Sequence, residues 1–143
     1  MDKYDSLKLE NQLCFPLYAC AREIVNRYRP ILDGLGLTYT QYVVMLVLWE
    51  VRRIGAKELG DRLHLDSGTL TPVLKSLEGK GLVSRARSDA DERRLDIFLT
   101  DGGLALRDDA VKVPALVSKC MNITSAEAQT LHNLLYKLLD CKN

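Results

Sequence analysis

The chain has 143 residues, of which 47% are hydrophobic and 27% charged, and its 20 Lys and Arg nearly balance its 19 Asp and Glu. This composition fits one folded domain with appended helices and excludes a disordered or low-complexity chain. The longest apolar run, residues 42–49, is far shorter than the roughly 20 residues of a membrane span, and the first residues show no apolar signal core, so we expect a cytoplasmic protein without a membrane partner.

The first third of the chain predicts two helices. Apolar residues recur at steps of three and four on one predicted face, which comprises Leu13, Leu17, Ala21, Ile24, Tyr28 and Ile31. Residues 33–36 are expected to end this helix. Thr38 and Gln41 have the spacing of a capping box, and residues 42–51 are apolar almost all round, which predicts a buried second helix.

The middle of the chain predicts two short helices and a hairpin. One helix is expected over Ala56–Leu63 and a second from a Ser67 cap to about Glu78, with residues 64–66 between them. Strands are predicted over residues 82–87 and 93–99, with Asp96 on the polar face and residues 88–92 in the turn.

The last third predicts two more helices. Thr100 is the expected cap of the first, whose apolar stripe is interrupted near Pro114 and comprises Leu106, Ala110, Val113, Val117 and Cys120. Thr124 and Glu127 form a second capping-box pattern before a helix with leucines at 131, 134, 135 and 138. The chain shows no internal repeat and no linker long enough to separate domains.

Two helices with a short connection, followed by an Arg-rich hairpin, are typical of a winged helix-turn-helix. The second helix is expected to present short polar and basic groups to DNA bases and phosphates, from Ser67, Thr69, Thr71 and Lys75. At the hairpin tip Arg93 stands beside Asp91, and a thin loop with one Arg fits a minor groove. The alternative is a solvated helical face and a charged hairpin without a nucleic-acid partner.

The four cysteines, Cys14, Cys20, Cys120 and Cys141, lack the spacing of a metal site, and the chain has two histidines. We therefore expect no metal and no cofactor. A permanent disulfide framework is disfavoured in a reducing compartment, and the ordinary fate of a free Cys is burial, which we expect for Cys20 and Cys141.

Several segments resemble a known family. The run Asp91-Glu-Arg93, with Leu99-Thr100 after it, resembles the wing signature of the MarR family of bacterial regulators. Residues 65–82 resemble the recognition helix of its organic hydroperoxide sensor branch, OhrR. Residues 12–19, 28–30 and 37–42 also resemble the sequences of that branch. Cys14 together with Tyr18, Tyr28 and Tyr39 is specific to that branch.

The resemblance implies a mostly α fold with a small β-hairpin wing, forming one MarR-type domain over residues 1–143. Helices of about 1–36 and 101–143 would intertwine in a homodimer, and residues of about 37–100 would bind DNA. Such a dimer represses transcription from a palindromic operator. Matching positions put Ser67, Thr69, Thr71 and Lys75 in the major groove and Arg93, braced by Asp91, in the minor groove.

The resemblance also implies that organic hydroperoxide oxidises Cys14, releases the DNA and derepresses peroxide-detoxification genes. We expect the regular first helix to begin near Pro16, with Cys14 at its positive end, where a thiolate is favoured. Tyr28 would lie roughly 21 Å from Cys14 along one regular helix, a separation that an antiparallel partner helix in a dimer could close. The resemblance places Tyr28 and Tyr39 of the partner subunit on the sulfur; packing alone is the other role open to these tyrosines.

The second step of oxidation has two open routes: a bond to Cys120 of the partner subunit, or capping by a small thiol.

Two other functions compete with the sensor. One is a MarR-type repressor controlled by a small phenolic ligand, with Cys14 incidental. The other is a thiol peroxidase with Cys14 as nucleophile, although no second Cys or His base lies close to it in sequence, and we expect no enzyme activity.

Overall fold

The computed structural model describes residues 2–141. Short 3-10 turns at Asp5–Leu7 and Leu9–Asn11, which the sequence patterns did not predict, precede the first helix. The main elements follow in this order: α1 Cys14–Asp33, α2 Tyr39–Val51, β1 Arg53–Gly55, α3 Ala56–Leu63, α4 Ser67–Gly79, β2 Val83–Arg87, β3 Leu95–Leu99, α5 Asp101–Ala110, α6 Val113–Ser118 and α7 Ser125–Leu139. Within residues 2–141, no helix is both long and apolar enough to cross a membrane.

Local hydrogen bonds explain where the helices begin. Both predicted capping boxes are confirmed: Thr38 with Gln41 opens α2, and Thr124 with Glu127 opens α7. The predicted cap of α4 is wrong by one residue. Asp66, not Ser67, accepts from the Thr69 backbone N–H at 2.7 Å, because its longer side chain reaches the third amide of the helix.

The sheet is antiparallel with strand order β1-β3-β2. Val83 pairs with Leu99 and Arg87 with Leu95, which confirms the predicted hairpin. The short strand β1 was not predicted; it pairs Arg53 with Phe98 and so covers the other edge of β3. Helices α3 and α4 followed by this hairpin form the predicted winged helix-turn-helix.

Helix α2 lies at the centre of the core, as its apolar sequence predicts. Val44, Met45 and Leu48 are fully buried, and the Trp49 indole N–H donates to the Gly103 carbonyl at 2.8 Å. Helices α1, α3, α4, α5 and α6 and the sheet supply the other buried residues, which include Leu32, Leu59, Leu74, Leu77, Val83, Ile97 and Val113.

The C-terminal stripe belongs to residues 101–143, which the resemblance assigns to the subunit interface, yet most of it is buried within the chain itself. Ala110, Val113 and Val117 lie in the core, where α6 packs on α1, while Cys120 at the end of the stripe is exposed. Many of the exposed apolar residues lie elsewhere, on α7 and around the start of α1. They include Leu9, Leu13, Phe15, Tyr18, Leu131, Leu134, Tyr136, Leu138 and Leu139.

Candidate functional site

Helix α4 presents an exposed polar face. The side chains of Ser67, Thr69, Thr71 and Lys75 are all exposed, on the side opposite the buried leucines of the helix. The Thr71 hydroxyl donates to the Ser67 carbonyl at 2.7 Å, which holds it against the helix. The Thr69 backbone N–H holds the pKa of Asp66 below its ordinary value, so the cap stays charged near neutral pH.

The tip of the β2–β3 hairpin projects one arginine. The Arg93 side chain is 96% exposed, and its Nε lies 3.6 Å from Asp91 Oδ1, which also accepts from the Arg93 backbone N–H at 3.0 Å. Asp91 thus orients Arg93 without covering it. Between this tip, α3 and α4 lies an open cleft of about 720 Å³, lined by groups of both charges.

A buried carboxylate, which the sequence patterns placed on the outer face, holds the base of the wing. Asp96 is 1% exposed and binds two arginines: Arg53 Nη2 lies 2.7 Å from Oδ2, and Arg94 Nε lies 2.9 Å from Oδ1. These guanidinium groups hold the pKa of Asp96 below its ordinary value. Arg94 also packs on Gly55, where an added Cβ would lie 3.2 Å from its Nε.

The arginine cluster of the hairpin is therefore only partly available to a ligand. Arg94 holds Asp96, and Arg85 Nη2 lies 3.0 Å from Glu78 Oε1 on α4, lowering the pKa of that carboxyl. These two arginines fasten the wing to β1 and to α4. Arg93 and Arg87 are exposed in the protomer.

Cys14 is the first residue of α1, two positions before the predicted start, because Leu13 already has helical backbone angles and Pro16 fits within the first turn. Its side chain is exposed. Tyr18 lies one turn later on the same face and is 60% exposed, with the Arg22 guanidinium 5.4 Å from its ring centre. Cys14 and Tyr18 thus face away from the core of their own protomer.

Tyr28 and Tyr39 form a cluster that also contains Tyr42, which the sequence patterns did not single out as a site residue. The ring centres of Tyr28 and Tyr39 are 4.8 Å apart, and those of Tyr28 and Tyr42 are 5.7 Å apart. Burial raises the pKa of Tyr28 to about 12 and also raises that of Tyr39. Both phenols are therefore hydrogen-bond donors at neutral pH. The i, i+3 spacing of Tyr39 and Tyr42 was the available signal for the third ring.

Cys14 does not lie near Tyr28 within one chain. Cys14 and Tyr28 lie on one unbroken helix, about 21 Å apart at 1.5 Å per residue. The Cys120 carbonyl accepts from Arg27 Nη1 at 3.1 Å, beside the far end of the same helix. All four cysteines are exposed in the protomer, so the expectation of buried Cys20 and Cys141 is wrong for the single chain.

Known proteins resemble this chain along nearly its whole length. The sequence profile of the transcriptional regulator family SarA/Rot matches residues 26–109. The organic hydroperoxide resistance transcriptional regulator of Bacillus subtilis (strain 168) is 45% identical over 139 residues, which cover 97% of this chain and 95% of that protein.

Solved structures of AbfR from Staphylococcus epidermidis share the fold at 37% sequence identity. Reduced AbfR bound to DNA matches with a TM-score of 0.78 over 96% of this chain and 95% of that chain. Disulfide-formed AbfR matches with a TM-score of 0.66 over 96% of this chain and 97% of that chain.

Proposed function

Because the chain belongs to the MarR/SarA family of transcriptional regulators, in the branch of the organic hydroperoxide regulators, we propose that Cys14 is the sensor of a DNA-binding repressor. The reduced protein binds a palindromic operator, and organic hydroperoxide oxidises Cys14 and releases the DNA. The observation that carries this function is the 45% identity to the B. subtilis regulator over 97% of the chain. Its relatives are named as transcriptional regulators, and AbfR has been solved on DNA in its reduced form.

We assign DNA recognition to α4 and the wing. Ser67, Thr69, Thr71 and Lys75 enter the major groove, where short polar groups and an ammonium reach base edges and phosphates. Arg93 reaches the minor groove. Its 96% exposure and the ion pair with Asp91 support this assignment, since the guanidinium is oriented yet free to meet DNA.

We further propose that the protein is a homodimer in the cytoplasm. Residues 37–100 form the DNA-binding part, while residues 1–36 and 101–143, of which 2–36 and 101–141 are described, supply the subunit interface. The exposed leucines of α7 and the exposed apolar residues near the start of α1 support this division, because monomeric proteins seldom leave so large an apolar surface in water.

The sensing site combines two subunits in this proposal. Cys14 of one protomer meets Tyr28 and Tyr39 of the partner subunit, since the cysteine and tyrosines of one chain are too far apart. The protonated phenols donate hydrogen bonds to the thiolate, and Tyr18 flanks it from the same helix. The thiolate attacks the hydroperoxide oxygen, breaks the O–O bond and yields a sulfenic acid and an alcohol after proton transfer.

The sulfenic acid then condenses with a second thiol and releases water. The Cys120 carbonyl contacts the Arg27 side chain, and Arg27 lies about 20 Å along α1 from Cys14, whereas a disulfide requires Cα atoms within about 7 Å. This placement disfavours a bond within one chain, and we propose that the second thiol is Cys120 of the partner subunit or a small thiol. AbfR has been solved in a disulfide form, which supports a disulfide as one of the two routes.

Non-reducing gel electrophoresis after organic hydroperoxide treatment separates the two routes. The intersubunit bond gives a dimer-sized band that is lost in both Cys14→Ser and Cys120→Ser, and Cys20→Ser is the matched control that keeps the band. A monomer-sized band with a thiol adduct on Cys14, found by mass spectrometry, contradicts the Cys120 route.

The function itself is tested on duplex DNA selected by the reduced protein from a random-sequence library. Fluorescence anisotropy should show that tert-butyl hydroperoxide releases this duplex from the wild type and from Cys20→Ser, but not from Cys14→Ser. Equal release from Cys14→Ser would refute the sensor role of Cys14. Release of that variant by a small phenol would favour the ligand-controlled repressor, and multiple turnovers of peroxide with a dithiol would favour the peroxidase.

A further inference from the structure

A buried polar cluster joins the start of α2 to the end of α4. Its centre is Gln41, which is 6% exposed although it lies in the first turn of α2. Only Gln41 and Asp96 are buried polar or charged residues within the part of the chain that the structure describes. Asp96 fastens the wing through Arg53 and Arg94, whereas Gln41 contacts Ser76 and Lys80 at the end of α4.

The Gln41 carboxamide is hydrogen-bonded at both ends. Its Oε1 accepts from the Thr38 backbone N–H at 3.1 Å and from Lys80 Nζ at 2.9 Å. Its Nε2 donates to Ser76 Oγ at 2.9 Å. Lys80 Nζ also donates to the Gly36 carbonyl. Ser76 of α4 and Lys80, the C-cap of that helix, therefore both bind the turn before α2.

These bonds exceed what helix capping requires. A capping box needs only an acceptor at the third helical residue, and such a side chain is ordinarily solvated. Here the amide group continues across to Ser76, on the helix that carries the exposed polar face. A buried amide that is bonded at both ends favours one relative orientation of the two helices, because loss of the Ser76 bond leaves the buried Gln41 Nε2 without that partner.

The same turn carries a residue of the sensing site. Tyr39 lies between Thr38 and Gln41, and its ring packs on Tyr28. On the other side, Ser76 directly follows Lys75 on α4. Tyr39 is therefore connected to α4 through one turn of backbone and one carboxamide.

We propose that Gln41 is a positioning residue that couples the tyrosine site to the DNA-reading helix through Ser76 and Lys80. When oxidation of Cys14 displaces Tyr39 of the partner subunit, the Gln41 carboxamide in that subunit transmits the movement to the end of α4. This inference rests on the proposed function, since it concerns the step between oxidation and DNA release.

The test compares DNA affinity before and after tert-butyl hydroperoxide treatment, using the selected duplex. Ser76→Ala removes the partner of Gln41 Nε2 at an exposed helical position, where Ala favours the helix. We expect the affinity of the reduced form to stay within about twofold of wild type, while the fold loss on oxidation shrinks by about fivefold, the size expected for one hydrogen bond. Ser76→Thr keeps the hydroxyl and should restore the wild-type response.

Two further variants make the result specific. Ser118→Ala is the matched control, since that hydroxyl donates only to the Ala115 carbonyl of its own helix. Lys80→Met removes the second bond between α4 and the turn and should weaken the response independently. An unchanged fold loss in both Ser76→Ala and Lys80→Met, or equal falls in reduced and oxidised affinity, would overturn the inference while leaving the sensor intact. A wild-type protein that keeps its DNA after oxidation would overturn both.

Discussion

Gly103→Ala should destabilise the protein strongly, although Ala normally favours a helix. Gly103 lies in the first turn of α5, directly after the wing. A Cβ at this position would lie 2.2 Å from the Leu82 carbonyl oxygen and 2.7 Å from Leu99 Cδ1, whereas real Cβ atoms essentially never approach within 3.0 Å. The start of α5 or the backbone at Leu82, the residue before β2, must therefore move by almost an ångström.

The magnitude follows from what that movement disturbs. Overpacking a tight site costs about 1–3 kcal/mol. The Gly103 carbonyl accepts the Trp49 indole N–H at 2.8 Å, and a buried donor left without its partner costs about 1–3 kcal/mol. The better helix propensity of Ala returns about 1 kcal/mol. We expect the free energy of unfolding to fall by about 1–5 kcal/mol, with a central value of about 3 kcal/mol.

Urea unfolding followed by circular dichroism at fixed protein concentration measures this change. The matched control is Gly79→Ala at the end of α4, where an added Cβ meets nothing within 4 Å, so that Ala should raise stability by about 0.5–1 kcal/mol. A Gly103→Ala protein that is as stable as wild type would show that the contact between α5 and the entry to β2 is looser than the structure indicates.

The remaining predictions concern the wing and the tyrosines. Arg93→Ala should weaken binding of the selected duplex by about 1–3 kcal/mol in anisotropy titrations, and an unchanged affinity would remove Arg93 from the groove. Tyr28→Phe and Tyr39→Phe should keep the fold and the dimer but blunt the release of DNA by peroxide; release at the wild-type dose would leave both as packing residues. Burial raises the pKa of Tyr28 from 10.0 to about 12, so the stability that its neutral phenol contributes is complete below pH 10 and is lost as pH rises towards 12. Tyr28→Phe should therefore flatten the fall in the free energy of unfolding over that window. A parallel fall in both proteins would contradict the raised pKa of Tyr28.

Features encoded by neighbouring residues could be predicted from the sequence. The capping boxes of α2 and α7 and the bounds of α3 depend on contacts within a few residues, and the structure confirms them. The exposed face of α4 follows from its helical period in the same way. The DNA-binding candidates therefore lie on the surface, as expected.

Features that depend on distant partners could not be predicted. Asp96 occupies an outward position in a simple alternation, yet Arg53 and Arg94 cover it, and Arg53 lies on a strand too short to show any period. The burial of Gln41 likewise depends on Ser76 and Lys80, which no local pattern indicates. The tyrosine cluster required the pairing of α1 with α2, which a helical period alone does not specify.

The short strand β1 has a consequence for how the chain must fold. Its pairing of Arg53 with Phe98 and of Gly55 with Asp96 closes a loop of about forty residues that contains α3, α4 and β2. Closing such a loop costs entropy before its contacts form, so the completed sheet is a late event compared with the helices inside it. A fragment reduced to α3, α4 and the hairpin would lack β1, so that loop would stay open. Its sheet would be a two-stranded hairpin, which is marginal in water. The smallest fragment able to hold α4 against its wing therefore begins before Arg53 and ends after Leu99.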